Sequence, residues 1–311
     1  MVEVVKYSAE YKQEWDGFVA GSKNGTFLLL RDYMEYHADR FQDHSLLFYR
    51  KGKLVAVLPA NVAGEEIYSH AGLTYGGIIS NQKMKVPVML QVFESMRAYC
   101  HTLGFSSLYY KTIPHIFHRT PAEEDLYALF RNQAQLYRRD VGSAIALEQS
   151  IKYSKKRRWQ VSKAQKYGME LGRSEDFARF MQIEQELLQE RYNKQPVHTA
   201  AEMQRLASLF PDNIKLYTAS IEGEILAGII VYETDTVAHC QYIASTARGR
   251  SLFAPDALID HLLTKVYPHK KYFNLGISTE QQGQFLNEGL NDNKESYGAR
   301  AIVHDFYKLP L

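Results

Sequence analysis

The sequence predicts a mixed α/β protein built as two tandem domains, each a mixed β-sheet flanked by helices. Three observations predict it. Period-two apolar runs alternate with helical patterns along the whole chain. The order strand, two helices, antiparallel strands, helix, strand, helix, strand occurs twice. The length, 311 residues, exceeds what one compact core usually needs. The halves share negligible identity, so the repeat is architectural. The boundary is placed near Leu147, giving domains 1–147 and 148–311.

In the first half "VEVVKYS" alternates as a strand, and "YKQEWDGFVAGS" and "RDYMEYHADRF" follow with helical spacing. "SLLFYR" and "KLVAVLPANV" flank Lys51-Gly52 and read as a hairpin. Then come "EIYSH", "GGIIS", the helix "VPVMLQVFESMRAYCHTLG", the strand "SLYYKTI", the helix "EEDLYALFRNQA" and a strand near "LYRRDVGSAIAL". The second half opens on a basic helix, "SIKYSKKRRWQVSKAQKYG", and the strand "MELGRS". Two helices, "EDFARFMQIEQELLQERY" and "TAAEMQRLASLF", lead to a hairpin turning at Glu222-Gly223. "VAHCQYIAS", a helix from Pro255, "KYFNLGIS", a further helix and "ARAIVHDFYKL" complete it. Pro255 suits a first helical position, and Leu258, Ile259, Leu262, Leu263 and Val266 form an apolar stripe. Strand, helix, strand implies a parallel crossover.

Alternation puts His239 and Gln241 on one face of the first of these strands, opposite Cys240 and Tyr242. It likewise groups Asn274, Gly276 and Ser278 on the second. Polar groups clustered in mid-sheet mark either a wet cleft or a satisfied core network.

Bulk composition excludes several classes. Net charge is +2, so a nucleic-acid or phosphate contact needs a local patch, and no DNA partner is expected. Cys100 and Cys240 are far apart, with no metal-type spacing, so neither a metal site nor a disulfide scaffold is expected. The N-terminus lacks an apolar signal core and no run approaches a membrane span, which reads as cytoplasmic. The 22 tyrosines read as core packing.

Finer motifs carry a family resemblance. "HCQYIAS", "NLGISTEQQGQFLNEGL" and "KESYGAR" resemble the FemAB-like branch of the GNAT acyltransferases, and "SHAGLTYGG" and "KRRWQVSKAQKYG" also fit it. The resemblance spans nearly the whole chain. Asn274 stands where an aspartate is common, and Tyr297 where a phenylalanine is common. It implies an enzyme transferring an acyl or aminoacyl group to an amine, in a cleft mainly within the second domain and closed by the first. The acceptor is a small or nucleotide-linked precursor of the cell envelope or a polysaccharide. The donor is an acyl-CoA co-substrate or an aminoacyl-tRNA, with no permanently bound cofactor. A long coiled-coil arm of the kind tRNA-using relatives carry is not seen, which favours acyl-CoA. A non-catalytic module keeping the fold is the remaining reading, and the dense polar motif argues against it.

The resemblance places Lys294 at the active site, holding a substrate phosphate or an oxyanion; the plainer reading is a solvated helix lysine or an ion pair with Glu295 or a neighbour. His239 is a candidate to relay a proton, or a core histidine. Glu280, expected at the start of the following helix, is a base, an amine-binding group or a helix-end charge. Gln241, Tyr242, Asn274, Ser278 and Thr279 are candidate substrate contacts, and Asn287 is one of these or a helix-turn bond. His70 and Tyr75, beside Gly72, Gly76 and Gly77, are possible contacts from the first domain or parts of a plain turn. In the basic helix Arg158 falls on the family's arginine position, as a phosphate grip or part of a solvated face. In "ARGRSLFAPDAL", Arg248 and Gly249 fit the family's phosphate turn, while Ser251 and Phe253 replace its usual glycines. Arg248 and Arg250 would then hold phosphate by side chain. Cys240, placed opposite His239, offers no activated nucleophile, so direct transfer is expected.

Overall fold

A computed structural model describes residues 1–311, the side chain of Tyr192 excepted. The chain divides into two compact units. The first comprises Met1–Val141, Glu280–Phe285 and Val303–Leu311; the second comprises Gly142–Thr279 and Leu286–Ile302. The expected cut at Leu147 is therefore corrected, and the reason is strand pairing. Residues Phe306 to Pro310 of the last strand, Arg300–Pro310, pair antiparallel with Ser107–Lys111 of the first unit. The end of the strand Gln135–Ala146 pairs instead with Tyr272–Ile277 of the second.

In the first unit, Val2–Lys6, Leu46–Arg50, Lys53–Leu58 and Ile79–Ser80 form a four-stranded sheet. Lys51 and Gly52 both take positive φ, 52° and 70°, the left-handed pair that a two-residue hairpin matched to strand twist requires. The helix Val86–Thr102 buries Met89, Val92, Phe93, Met96 and Cys100 at helical spacing against Leu46, Phe48 and Leu108.

The second unit orders its strands Glu170–Ser174, Ile214–Ile221, Glu224–Glu233, Val237–Ser245 and Tyr272–Ile277. The first four are antiparallel and the last pair is parallel, as the strand–helix–strand order implied. Glu222 and Gly223 repeat the left-handed hairpin turn. The helix Ala254–His261, continued by a π-helical turn Leu262–Val266, packs Leu258, Ile259, Leu262 and Leu263 against Ala227, Ile229, Val231 and Phe273. The basic helix is shorter than its pattern, Lys155–Ala164, because Ser154 caps it by accepting from the Arg157 amide.

Two irregularities break the expected alternation. Ile230 pairs with Tyr242 while Val231 pairs with Cys240, so Gln241 is the extra residue of a β-bulge. Opposed residues share a face, so Tyr242 joins His239 on one side, and Cys240 joins Ile243 on the other. The expectation that Tyr242 lies opposite His239 is thereby corrected. In the neighbouring strand Gly276 takes φ +76°, and pairing to Gln135–Ala146 shifts register between Asn274 and Ile277. No helix among the described residues is long and apolar enough to cross a membrane.

Candidate active site

The parallel strands stay paired only as far as His239 and Asn274. Beyond that point no pairing joins Val237–Ser245 to Tyr272–Ile277 among the described residues. The second strand ends in a tight device. Asn274 Oδ1 accepts the Gly276 amide at 3.0 Å, and the left-handed Gly276 turns two successive carbonyls the same way. Lys294 Nζ donates to both, at 3.1 Å to Gly276 O and 2.6 Å to Ile277 O.

Lys294 rides on the helix Glu288–Glu295. Asn287 caps that helix: its side chain accepts from the Leu290 amide at 3.0 Å, and its own amide donates to Ser278 O at 2.9 Å. Strand end and helix start are thus tied, which holds the lysine over the carbonyls. The lysine is 7% exposed, and no salt bridge is found for it among the described residues. Glu295 accepts from Asn291 instead. Burial without a counter-charge lowers the Lys294 ammonium to about 8. An ammonium has three donors, and two are engaged by these carbonyls.

His239 is half-buried beside it; a Cβ on Gly276 would stand 3.9 Å from His239 Cε1. Burial and then the Lys294 charge lower the imidazole to about 4, and the nearby Gln241 side chain only partly opposes them. His239 is therefore neutral at pH 7, and Lys294 is the group that titrates near working pH. Cys240 is buried, and burial pushes its thiol far up.

The other expected residues sort unevenly. Gln241 is half-buried at the bulge, with its Oε1 unbonded among the described residues. Ser278 is buried with an unbonded Oγ close to the carbonyl turn. Asn274 is occupied by Gly276. The Tyr242 hydroxyl meets His198 Nδ1 at 2.6 Å, so it fixes the segment before the helix Ala200–Leu209. Thr279 is half-buried, and Glu280 is exposed and packs with the first unit. Glu280 stands before a single 3₁₀ turn, Gln281–Gly283, and two strand residues, Phe285–Leu286, then separate it from the helix Glu288–Glu295. Its expected place in a helix dipole is corrected accordingly.

The expected phosphate turn holds a five-residue helix, Ala247–Ser251. Thr246 caps it, and the Gly249 amide donates to Thr246 Oγ1 at 3.0 Å. Arg248 pairs with Glu224, and Arg250 donates to Ser245 O at 2.8 Å and lies 3.7 Å from Glu190. Arg248, Gly249 and Arg250 thus each have a partner within the protein. Phe253 takes φ 58° at the join to the next helix. Gly249 serves packing: a Cβ there would overlap the Leu226 carbonyl. Gly249→Ala should cost about 1–3 kcal/mol or more in unfolding free energy. Denaturant melts unchanged from wild type would refute that packing role.

In the basic helix, Arg158 is exposed and Arg157 is the buried one. Arg157 pairs with Asp256, donates to Tyr297 Oη at 2.9 Å and Ser296 Oγ at 2.8–2.9 Å, reaches Asn293 O at 3.3 Å, and lies 3.8 Å above the Tyr297 ring. It joins three elements around the Lys294 turn. In the first unit, Tyr75 is buried with its hydroxyl 2.9 Å from Thr26 Oγ1, and His70 is buried and stacked on His37 at 5.2 Å. His70 Nδ1 is a buried nitrogen without a hydrogen-bond partner among the described residues.

Sequence reading missed Arg157, the Gly276 turn and Glu184. Glu184 is buried, its Oε2 has no partner among the described residues, and burial raises it to about 7. Its signal was a glutamate within the apolar stripe of Phe177, Phe180 and Met181.

Residues 152–281 match the family model of the acetyltransferase (GNAT) domain. FemX is 12% identical, with a TM-score of 0.69 over 97% of this chain and 96% of FemX. L-PGS from Bacillus licheniformis is 12% identical, with a TM-score of 0.59 over 93% and 92%. A tandem GNAT protein from the clavulanic acid biosynthesis pathway is 10% identical, with a TM-score of 0.54 over 100% and 98%. At these identities the likeness is one of fold. No curated protein matches the sequence. GNAT-fold enzymes generally use acyl-CoA as co-substrate.

Proposed function

We propose that the protein transfers a small acyl group from acyl-CoA to an amine of a cell-envelope or polysaccharide precursor, by direct attack within a ternary complex. The observation that carries this is Lys294: a buried ammonium, held by two carbonyls, where the paired strands part. The thioester carbonyl would lie along the unpaired edge beyond His239. The acceptor nitrogen attacks that carbon, and the third Lys294 N–H stabilises the oxyanion. As the C–S bond breaks, Lys294 protonates the thiolate, and the proton lost by the new amide nitrogen restores the ammonium. Neutral His239 orients the attacking amine. Buried Cys240 supports direct transfer over an acyl-enzyme. The acceptor class rests on the Fem-type resemblance.

One observation favours a second reading, an aminoacyl-tRNA donor: the helix Ala247–Ser251 engages the amides and arginines that would meet a pyrophosphate. Calorimetry and transfer assays with acetyl-CoA, longer acyl-CoAs and a charged tRNA pool separate the two. Binding and turnover with a CoA thioester are expected. Transfer from charged tRNA with no CoA binding would replace the first reading by the second.

A further inference from the structure

The donor turn is filled, yet an aromatic and cationic surface stands beside it. Trp159 on the basic helix is 54% exposed, and its ring meets Phe253 edge-on at 5.5 Å. Phe253 is the left-handed residue at the join of the turn's helix and the central helix. The contact therefore sets the indole next to the filled turn. Lys155 and Lys163 lie one turn before and after Trp159 on the same helix face, and Lys163 Nζ is 5.7 Å from its ring. Lys156 and Arg158 are also exposed, one to each side of that face. Unlike Arg157, none of these four cations is committed to a carboxylate among the salt bridges of the described residues.

A large exposed indole flanked by lysines is costly to keep in water and suits a planar base carrying phosphates. There is one platform, so it fits one base, and Lys155 to Lys163 span about 12 Å of helix, roughly a nucleoside diphosphate. We infer that the nucleotide end of the acyl donor stacks on Trp159, with its phosphates held by Lys155, Lys156, Arg158 and Lys163 in place of the glycine-rich turn. This rests on the acyl-CoA reading above.

The chain has two tryptophans, and the other, Trp15, is buried with its indole donating to Leu29 O at 2.9 Å. Fluorescence of the full chain thus reports the exposed ring. Titration with CoA and with adenosine 3′,5′-bisphosphate should quench it, and pantetheine should not. Trp159→Ala should lower kcat/KM for acyl-CoA roughly tenfold and leave acyl-pantetheine unchanged, with Trp159→Tyr restoring part of the loss. Lys155→Glu with Lys163→Glu should weaken CoA and flatten its salt dependence. These residues are exposed, so folding should survive; a circular dichroism spectrum checks that. CoA turnover with no quenching and no effect of Trp159→Ala would overturn the inference alone. So would transfer from acyl-pantetheine that gains nothing from the nucleotide. If neither thioester supports transfer, the acyl-CoA reading fails as well.

Discussion

Replacing Lys294 by Met should lower turnover by about 10²–10⁴ while the protein stays folded. The ammonium is poised to titrate near working pH, and it lies where the paired strands part. Wild-type turnover should hold at pH 7 and fall as pH rises through about 8, where the ammonium loses its proton. Lys294→Arg stays charged, so whatever activity survives should lose that alkaline fall. Stability carries a second signature. The folded value, about 8, lies below the ordinary 10.5, so between them the unfolded chain binds more protons. Native stability should then rise with pH across that window, and Lys294→Met should lack the rise. A Met variant with wild-type turnover on the true substrate pair would remove the lysine from the mechanism.

Arg157→Ala should be the most destabilising substitution near the site, by about 3–5 kcal/mol. The change strands Asp256, buried 99 positions away in sequence, without its cation. It also removes donors from Ser296 and the Asn293 carbonyl, which flank Lys294. Burial already raises the Asp256 carboxyl, and Arg157 is the first influence opposing it. Without the guanidinium the carboxyl rises further, so the folded chain retains a proton the unfolded chain releases. The deficit should shrink as pH falls towards 5. Thermal melts of the variant across pH test both claims, and a loss below 1 kcal/mol at pH 7 would show that the network does not carry the turn.

How much of this was legible depended on range. The two hairpin turns, the central helix from Pro255 and the parallel strand pair follow from local chemistry: left-handed turn residues, a proline at a helix start, apolar spacing. The two-unit plan followed from element order. Lys294 and His239 were singled out by a motif, and the Lys294 charge acts on His239; Glu280, singled out by the same motif, is exposed and belongs to the first unit. The misplacements have one cause. A period-two pattern states which residues alternate, but it carries no register, so the bulge at Gln241 and the left-handed Gly276 were invisible until the partner strands were in place.

By itself the sequence determined the kinds of element, their order and the residue types able to do acyl-transfer chemistry. The tertiary structure decided how the buried arginine is partnered. Helical spacing sets Arg157 on the face of Val161 and Ala164, but only Asp256, Ser296 and Tyr297, brought from distant segments, give it a full set of partners. It also decided that the last strand ends in the first unit, and that Lys294 loses its water without gaining a carboxylate. Burial and pairing are properties of neighbours in space, and no stretch of sequence contains its own.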